Sequence, residues 1–332
     1  MTRRPGVLLL VLLALGAALL ALGAAVGSDG FSLGWFGHDD AGLAREIVVQ
    51  IRLPRSLGAW TCGALLGLAG AVAQGLFRNP LADPYLLGSA AGAGLGVATS
   101  LTLLGSSIAT VGWLHQLGLA GAAFLGCLLG VLLTLLLARG TEQSLRLLLA
   151  GVVVGVVLMA AMDLLMLMKA DIMREMQAFM LGSTGLLGWS QCALMAAALV
   201  LSLGLALAAA HVLDALTLGE ATARSLGVPL GAMRIVLIAA FAVATGAAVA
   251  MAGMIAFVGL VAPHLVRNLC PTTHGRLLLL SAATGGVLLL AADIVARWLL
   301  APQELPVGII TALLGGAYLL VLMHRRQGRA AV

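Results

Sequence analysis

The chain has 332 residues, of which 62% are hydrophobic and 9% are charged, and its formal net charge is +5. This composition excludes a soluble domain and is typical of a protein that crosses a membrane many times. The single lysine, Lys169, stands in MLMKAD. A GxxxxGK[ST] loop needs a lysine beside the phosphates, so this chain has no such loop and any ATP is hydrolysed by another protein.

Uncharged apolar runs follow one another along nearly the whole chain. A spanning helix needs about 20 mostly apolar residues, and about ten such spans fit. The runs do not alternate polar and apolar residues as barrel strands would, so we predict helices. The first run is longer than the core of a signal peptide and is interpreted as a retained span. The predicted spans are 6–28, 56–77, 86–104, 116–138, 147–168, 191–210, 232–251, 254–268, 277–299 and 306–323.

Arginines lie at both ends of the chain, with Arg3 and Arg4 at the start and Arg325 and Arg326 near the finish. Cytoplasmic loops of membrane proteins carry the excess of basic residues, so both termini are expected in the cytoplasm. An even number of spans satisfies this. The positive net charge therefore reflects topology, and nothing in it indicates nucleic acid.

Three arginines lie outside, where the positive-inside tendency does not expect them. Arg52 and Arg55 end the polar stretch 29–55, and Arg297 lies at the outer end of a later span. Asp293 precedes Arg297 by one helical turn and could pair with it. Residue spacing alone therefore leaves local ion pairing as one interpretation of these arginines.

The longest polar stretch on the cytoplasmic side is 211–230. Its leucine spacing predicts two short helices that meet at Gly219 and Glu220, with Gly227 and Pro229 as stops. A plain solvated loop would not need leucines at helical spacing, so this stretch is interpreted as an interaction site.

A further inner stretch, 257–276, joins two spans, and Pro263 within it is expected to kink or end a short helix. Glycines four residues apart within the spans predict close packing of helices inside one subunit. These pairs are Gly63/Gly67, Gly88/Gly92, Gly126/Gly130 and Gly151/Gly155. The scattered cysteines and histidines form no ligand pattern, so no metal site is predicted.

Five stretches together resemble a known transporter family. They are IRLPRSLGAW, GAVAQGLFRNPLADPYLLG, LGEATARSLGV, AGMIAFVGLVAPHLVR and AADIVARWLLAPQELPVGIITALLGG. In this order they resemble the FecCD family, the permease subunits of binding-protein-dependent ABC importers for iron-siderophore, haem and cobalamin. The resemblance implies an all-α polytopic membrane protein with the type II importer permease fold, its helices arranged in two five-helix halves.

The resemblance also implies the partners. Two permease subunits, expected to be a homodimer, would form the pathway in the lipid of the bacterial inner membrane. A cytoplasmic ABC ATPase dimer would sit below, and a periplasmic substrate-binding protein would deliver the ligand from above. No cofactor is expected on this chain, because ATP and Mg²⁺ would be bound by the ATPase.

The resemblance assigns roles to three groups of residues. Contact with the ATPase is expected from Leu216, Leu218, Gly219, Glu220, Ala221, Arg224, Leu226 and Gly227. Within this group Leu218, Ala221 and Leu226 would fill the ATPase groove, and Glu220 and Arg224 would contact its rim. Docking of the binding protein is expected at Arg52, Arg55 and Arg297, with Asp293 orienting Arg297.

The third group belongs to the pathway. The stretch 172–189 reads as a short outer helix and a glycine-rich turn, and by resemblance it forms part of the outer gate. The pathway residues suggested with it are Met159, Met162, Met166, Gly182 and Ser183. Methionines adapt to bulky ligands, but they also fill gaps in a core, and the sequence leaves both open.

Transport of an iron chelate, either a siderophore or haem, is the expected function, with cobalamin as the alternative. An ion-driven secondary transporter is disfavoured, because the intramembrane acids Asp163 and Asp293 lie near the outer ends of their spans and not at the midplane. An intramembrane enzyme is disfavoured as well, because no nucleophile and base pair within a span.

Overall fold

The computed structural model describes residues 4–27, 30–31, 41–104, 112–138 and 144–330. Arg3, used above for orientation, lies outside these ranges. The helices are α1 (Pro5–Ala25), α2 (Ala41–Ile47), α3 (Leu53–Phe77), α4 (Ser89–Leu104), α5 (Gly112–Leu137), α6 (Ser144–Met168), α7 (Met173–Leu181), α8 (Trp189–Ala208), α9 (Ala210–Thr217), α10 (Glu220–Ser225), α11 (Leu230–Ala252), α12 (Val258–Leu269), α13 (His274–Trp298) and α14 (Val307–Ala330). Two short strands, β1 (Val26–Gly27) and β2 (Gly30–Phe31), pair antiparallel.

Seven helical stretches in the described part of the chain are long and apolar enough to cross a membrane. They are α1, the continuous stretch that ends with α3, and most or all of α5, α6, α8, α11 and α13. Helices α4 and α14 carry shorter apolar stretches, and α12 has 12 residues. Each predicted span overlaps one of these ten helices, and membrane crossing by the three shorter ones stays a prediction.

Helix α3 is buried along almost its whole length and packs antiparallel against α13. The two backbones touch, because a Cβ on Gly63 would overlap the carbonyl oxygen of Gly285 and a Cβ on Gly67 would overlap that of Ser281. Such contact is the usual role of small residues between membrane helices. Because α3 lies in the first half of the sequence and α13 in the second, the two halves interlock and are not separate bodies.

A second close pair joins α4 to α5. Gly92 and Gly126 face each other so closely that a Cβ on either would overlap the carbonyl oxygen of the other. On α6, a Cβ on Gly151 would overlap the carbonyl oxygen of Leu86. These contacts confirm that the spaced glycines pack helices within one subunit.

The chain breaks its helix between α11 and α12. Gly253 has a φ of +72°, a conformation that favours glycine, and α12 begins at Val258. Pro263 lies inside α12 and does not end it, which corrects part of the prediction. Pro263 cannot donate to the carbonyl of Gly259, and this carbonyl lies directly against Gly70 of α3, where a side chain would collide with it.

Helix α1 lies on the outside of this core. Leu12 is buried in one apolar cluster with Leu277, Leu280 and Val287 of α13, whereas Leu10, Leu13, Leu15 and Leu22 are exposed. An apolar helix that buries only one edge fits a lipid-facing position. The C-terminal end of α1 therefore comes to lie beside the C-terminal end of α13.

Candidate functional site

Helices α9 and α10, here named the loop helices, form a compact projection between α8 and α11. Leu213 and Leu216 of α9 are fully buried. On the other side Leu218 is 63% exposed and Leu226 is 62% exposed. Gly219 has a φ of +100° at the turn between the two helices. The loop helices thus present apolar side chains both to the permease core and to the outside.

Glu220 begins α10 and faces the body of the permease. Its Oε1 accepts hydrogen bonds from Arg234 Nη2 at 2.6 Å and from Ser144 Oγ at 3.2 Å, and it lies 3.6 Å from Arg78 Nη2. Partial burial raises the pKa of Glu220, but the hydrogen bond and charge of Arg234, helped by Ser144 and Arg78, outweigh it and lower the pKa. One carboxylate therefore connects α10 to α11, to the start of α6 and to the end of α3.

The second acid of the loop helices is anchored as well. Asp214 Oδ1 accepts a hydrogen bond from the backbone N–H of His274 at 3.0 Å and lies 2.7 Å from His274 Nδ1. Because His274 is the first residue of α13, Asp214 satisfies a free N–H at that helix end. Each loop helix is thus joined to the transmembrane helices by one carboxylate.

Two residues of the expected ATPase contact, Leu216 and Glu220, face the permease and not the outside. Leu216 is fully buried against the permease core. Glu220 has its partners inside the chain, because the buried guanidinium of Arg234 lies directly behind it. Ala221 and Arg224 are exposed together with Leu218, Leu226 and Gly227, and Gly219 is half-buried at the turn.

The start of α3 and the end of α13 meet on the side away from the loop helices. There they form an arginine–carboxylate cluster of Arg55, Asp293, Arg297 and Glu304. Arg55 Nε donates to Asp293 Oδ1 at 3.2 Å, and Arg55 Nη1 contacts both oxygens of Glu304, at 2.9 and 2.7 Å. Arg297 Nη2 pairs with Asp293 Oδ2. Two positive and two negative groups therefore balance each other inside one chain.

Neighbouring elements bond to this cluster. The Thr184 hydroxyl donates to Asp293 Oδ1 at 2.5 Å, and Arg297 Nη2 donates to Ser56 Oγ at 3.1 Å. Arg297 Nη1 also donates to the carbonyl of Gly23 at 3.2 Å, and Arg52 reaches two further carbonyls in the last turn of α1 at 3.3 Å. Cations at a helix C-terminus satisfy free carbonyls and oppose the helix dipole.

The three outer arginines therefore differ in how they can meet a partner. Arg297 is 1% exposed and Asp293 is 0% exposed, so both lie beneath the surface and not on a docking rim. The local ion pair of these two residues, which the spacing allowed, is present. Arg55 is 8% exposed, and Arg52 is half-buried.

The gate segment, residues 172–189, consists of α7 and a turn that starts at Gly182. Backbone hydrogen bonds hold its turn against the break after α11, from Ser183 N–H to the Ala252 carbonyl at 2.8 Å and from Met254 N–H to the Phe179 carbonyl at 3.0 Å. Gly182 is buried and has a φ of +66°. The gate segment is thus fixed to α11 through its backbone.

The suggested pathway methionines do not share one surface. Met162 is buried in an apolar cluster with residues of α4, α5 and α7, so in this conformation it fills a core. Met166 is half-buried, and Met159 and Ser183 are exposed. Met162 faces Gly94 from α6, and its part in the pathway stays a prediction.

The described residues contain no group of three or more His, Cys, Asp or Glu side chains that could hold a metal ion. The four cysteines are buried. Sequence reasoning missed Thr184, Glu304, Ser144 and Arg234. Glu304 stands inside a stretch that carried the family resemblance, but its partner Arg55 lies far away in the sequence, so spacing gave no signal of the pair.

Comparison with known proteins gives the context of these two polar sites. The model of the FecCD transport family matches residues 7–325. The vitamin B12 import system permease protein BtuC of Salmonella paratyphi A is 42% identical over 278 residues, which cover 83% of both chains. BtuC of Escherichia coli O9:H4 (strain HS) is 42% identical over 282 residues, or 84% of both chains.

Solved structures agree with this likeness. A metal-chelate type ABC transporter in an inward-facing conformation has a TM-score of 0.86 and 28% identity, and the match covers 97% of this chain and 100% of that one. PsaBC from Streptococcus pneumoniae in complex with Fab has a TM-score of 0.55 and 17% identity over 80% of this chain and 89% of that one, which is a likeness of fold alone.

Proposed function

Because the chain belongs to the FecCD transport family, we propose that it forms the membrane pathway of an importer for cobalamin, which is vitamin B12. The protein is a multi-pass permease subunit of an ABC transporter in the bacterial inner membrane and is not itself an enzyme. Such a subunit works with an ATPase and a binding protein.

The likeness to vitamin B12 permeases carries the choice of cargo. Identity of 42% extends over 83% of the chain and is not confined to one motif. An iron chelate, favoured by the sequence analysis, is the second candidate. The structural likeness to a metal-chelate type transporter supports it, at the lower identity of 28%.

The loop helices are the proposed contact for the ATPase. Leu218 and Leu226 point away from the permease and leave apolar surface in the cytoplasm, where a partner groove would cover it. Their buried side and their two carboxylate anchors make the projection a solid body that can transmit a push. ATP and Mg²⁺ would act on the ATPase alone.

The surface at the start of α3, which carries Arg52 and Arg55, is the proposed docking surface for the binding protein. Positive groups at such a rim favour an acidic partner and orient its approach. The buried Asp293 and Arg297 would support this surface from below. The gate segment, which lies next to it, is the proposed outer gate.

Two copies of this chain would complete the pathway, with both termini in the cytoplasm. One chain would supply only half of the spans of the family's pathway, so the pathway would lie along the seam of a homodimer. Binding of ATP would then bring the ATPase subunits together, move the loop helices and open the seam toward one side.

Transport by the reconstituted complex tests the cargo. The permease, its ATPase and its binding protein are placed in vesicles that contain ATP, and uptake of labelled cobalamin, a ferric siderophore and haem is compared. We expect ATP-dependent accumulation of cobalamin above the other two. Preferential accumulation of the siderophore or of haem would replace cobalamin by an iron chelate, and uptake of none of the three would contradict both candidates.

A further inference from the structure

Asp293 lies where α3, α13 and the gate segment meet, at the outer end of the helices. It is 0% exposed, and both of its oxygens are engaged. Oδ1 receives Arg55 Nε from α3 and the Thr184 hydroxyl from the gate segment, at 3.2 and 2.5 Å. Oδ2 receives Arg297 of its own helix. One carboxylate oxygen thus bonds both a residue of the proposed docking surface and a residue of the proposed gate.

The members of the arginine–carboxylate cluster differ in their access to the outside. The side chain of Glu304 is 33% exposed and that of Arg55 is 10% exposed, whereas Asp293 and Arg297 lie below them. Of the two arginines of the cluster, an approaching anion therefore meets Arg55 before Arg297, and it competes with Glu304 for Arg55. In a buried site of low dielectric, a change at one ionic bond alters its neighbours strongly.

Thr184 is placed to pass such a change to the gate segment. It is 1% exposed and lies two residues after the positive-φ Gly182. The next residue toward α7, Ser183, is bonded through its backbone N–H to the end of α11. Because Thr184 directly follows Ser183, a displacement of Thr184 pulls on the hydrogen bond of the Ser183 N–H that ties the gate segment to the end of α11.

On the basis of the proposed docking surface and gate, we propose that Asp293 and Thr184 relay binding-protein docking at Arg55 to the gate segment. A carboxylate of the binding protein that pairs with Arg55 takes donors away from Glu304 and Asp293. Asp293 Oδ1 then holds the Thr184 hydroxyl more tightly and draws the turn toward α13. Asp293 and Thr184 act here as positioning residues and do not touch the ligand.

Removal of the Thr184 hydroxyl tests the relay without altering the charge of the cluster. Thr184→Val keeps the size of the side chain, and Thr184→Ser keeps the hydroxyl. Thr99→Val is the matched control, because Thr99 is exposed on α4 and its hydroxyl bonds only to the Leu95 carbonyl of its own helix. If the valine variant does not assemble, Thr184→Ala removes the same hydroxyl with no steric demand.

The complete complex with ATPase and binding protein is measured in vesicles for three quantities: affinity of the binding protein, its stimulation of ATP hydrolysis, and uptake. A hydrogen bond to a charged group is worth enough to change a rate by about tenfold. For Thr184→Val we expect the affinity of the binding protein to be unchanged. Its stimulation of ATP hydrolysis and the uptake should each fall about tenfold, and both should recover in Thr184→Ser.

Full stimulation and uptake in both the valine and the alanine variants would overturn the relay, and so would a loss of binding-protein affinity, since Thr184 would then be part of docking. A loss in Thr184→Ser equal to that in Thr184→Val would also overturn it, because the hydroxyl would not be the active group. Failure of the wild-type complex to bind its partner or to transport would instead contradict the proposed function.

Discussion

Glu220 shows how one side chain can join the loop helices to the rest of the permease. Its carboxylate contacts Arg234, Ser144 and Arg78, which belong to three different segments. A force on α10 therefore reaches α11, α6 and α3 through one group. This position fits a residue that transmits movement better than one that grips the ATPase.

Glu220→Gln should weaken this connection while it preserves shape. We expect a loss of about 1–3 kcal/mol in the free energy of unfolding, because Arg234 is buried and loses a charged partner. Uptake per ATP hydrolysed should fall, while hydrolysis itself continues. Thermal unfolding and the ratio of uptake to hydrolysis are the measurements.

The pH dependence of this variant adds a second readout. The pKa of Glu220 is lowered in the folded protein, so its contribution to stability is present above the ordinary glutamate pKa and is lost as the pH falls through the lowered value. Glu220→Gln should lack this acid-side loss. Glu46→Gln, on the exposed face of α2, is the control, and equal stability of the two variants would contradict the anchor.

Pairs close in sequence could be predicted, and pairs far apart could not. Asp293 and Arg297 lie one helical turn apart, and their ion pair was visible from spacing. The bonds of Asp293 to Arg55 and Thr184 depend on how α3, α13 and the gate segment pack. Small residues spaced along a membrane helix show that it packs closely, but their spacing does not show which helix is the partner.

At the scale of elements, the loop helices separate two kinds of leucine. Leu213 and Leu216 are buried, and Leu218 and Leu226 are exposed, although all four stand in one short stretch. The leucine spacing predicted the two helices, whereas the family resemblance placed Leu216 in the ATPase contact. The core formed by α3 and α13 decides which face is covered, and that core was not part of the pattern.

This division predicts that substitutions of exposed and of buried leucines have opposite effects. Leu218→Ser and Leu226→Ser should leave thermal stability unchanged but weaken binding of the ATPase, since burying a leucine is worth about 1.5–3 kcal/mol, or roughly 10- to 100-fold in affinity. Leu216→Ala should lower the free energy of unfolding by about 2–5 kcal/mol, because it leaves a cavity in the core.

Both effects are measured on purified protein, by thermal unfolding and by titration with the ATPase. Ile235→Ser, at an exposed position on α11 outside the loop helices, is the control for adding a polar side chain. Unchanged ATPase affinity in Leu218→Ser and Leu226→Ser would mean that the partner does not cover this surface.

The segment from α11 to α12 shows which features the local sequence pattern predicts and which depend on tertiary contacts. The predicted spans 232–251 and 254–268 leave a break at Gly253, where the structure has a positive φ that is costly for other residues. Pro263 was expected to kink or end the next helix, yet α12 continues to Leu269. Pro263 has no N–H to donate to the carbonyl of Gly259, and this carbonyl packs against Gly70 of α3. Only this contact between helices allows α12 to contain the proline.

At the scale of the whole molecule, two polar sites lie at opposite ends of the antiparallel pair α3 and α13. One holds Glu220 beside Arg78 at the end of α3, and the other holds Arg55 near its start. Because the backbones of these helices touch at their glycines, the pair behaves as a stiff rod between the two sites. Such a rod suits a protein that receives a mechanical input at one end and admits ligand at the other.

The energy for transport should therefore come from outside this chain. No lysine is placed for a phosphate loop, and the acid Asp163 is exposed on α6 away from the core. We expect the purified permease in vesicles to accumulate no cobalamin under a proton or sodium gradient, and to do so once the ATPase, the binding protein and ATP are added. Labelled ligand inside the vesicles is the measurement, with Asp163→Asn in the complete complex as the control for ion coupling. Accumulation by the permease alone, or abolished uptake with intact ATP hydrolysis in Asp163→Asn, would place the energy source in an ion gradient, and the loop helices would then need another role.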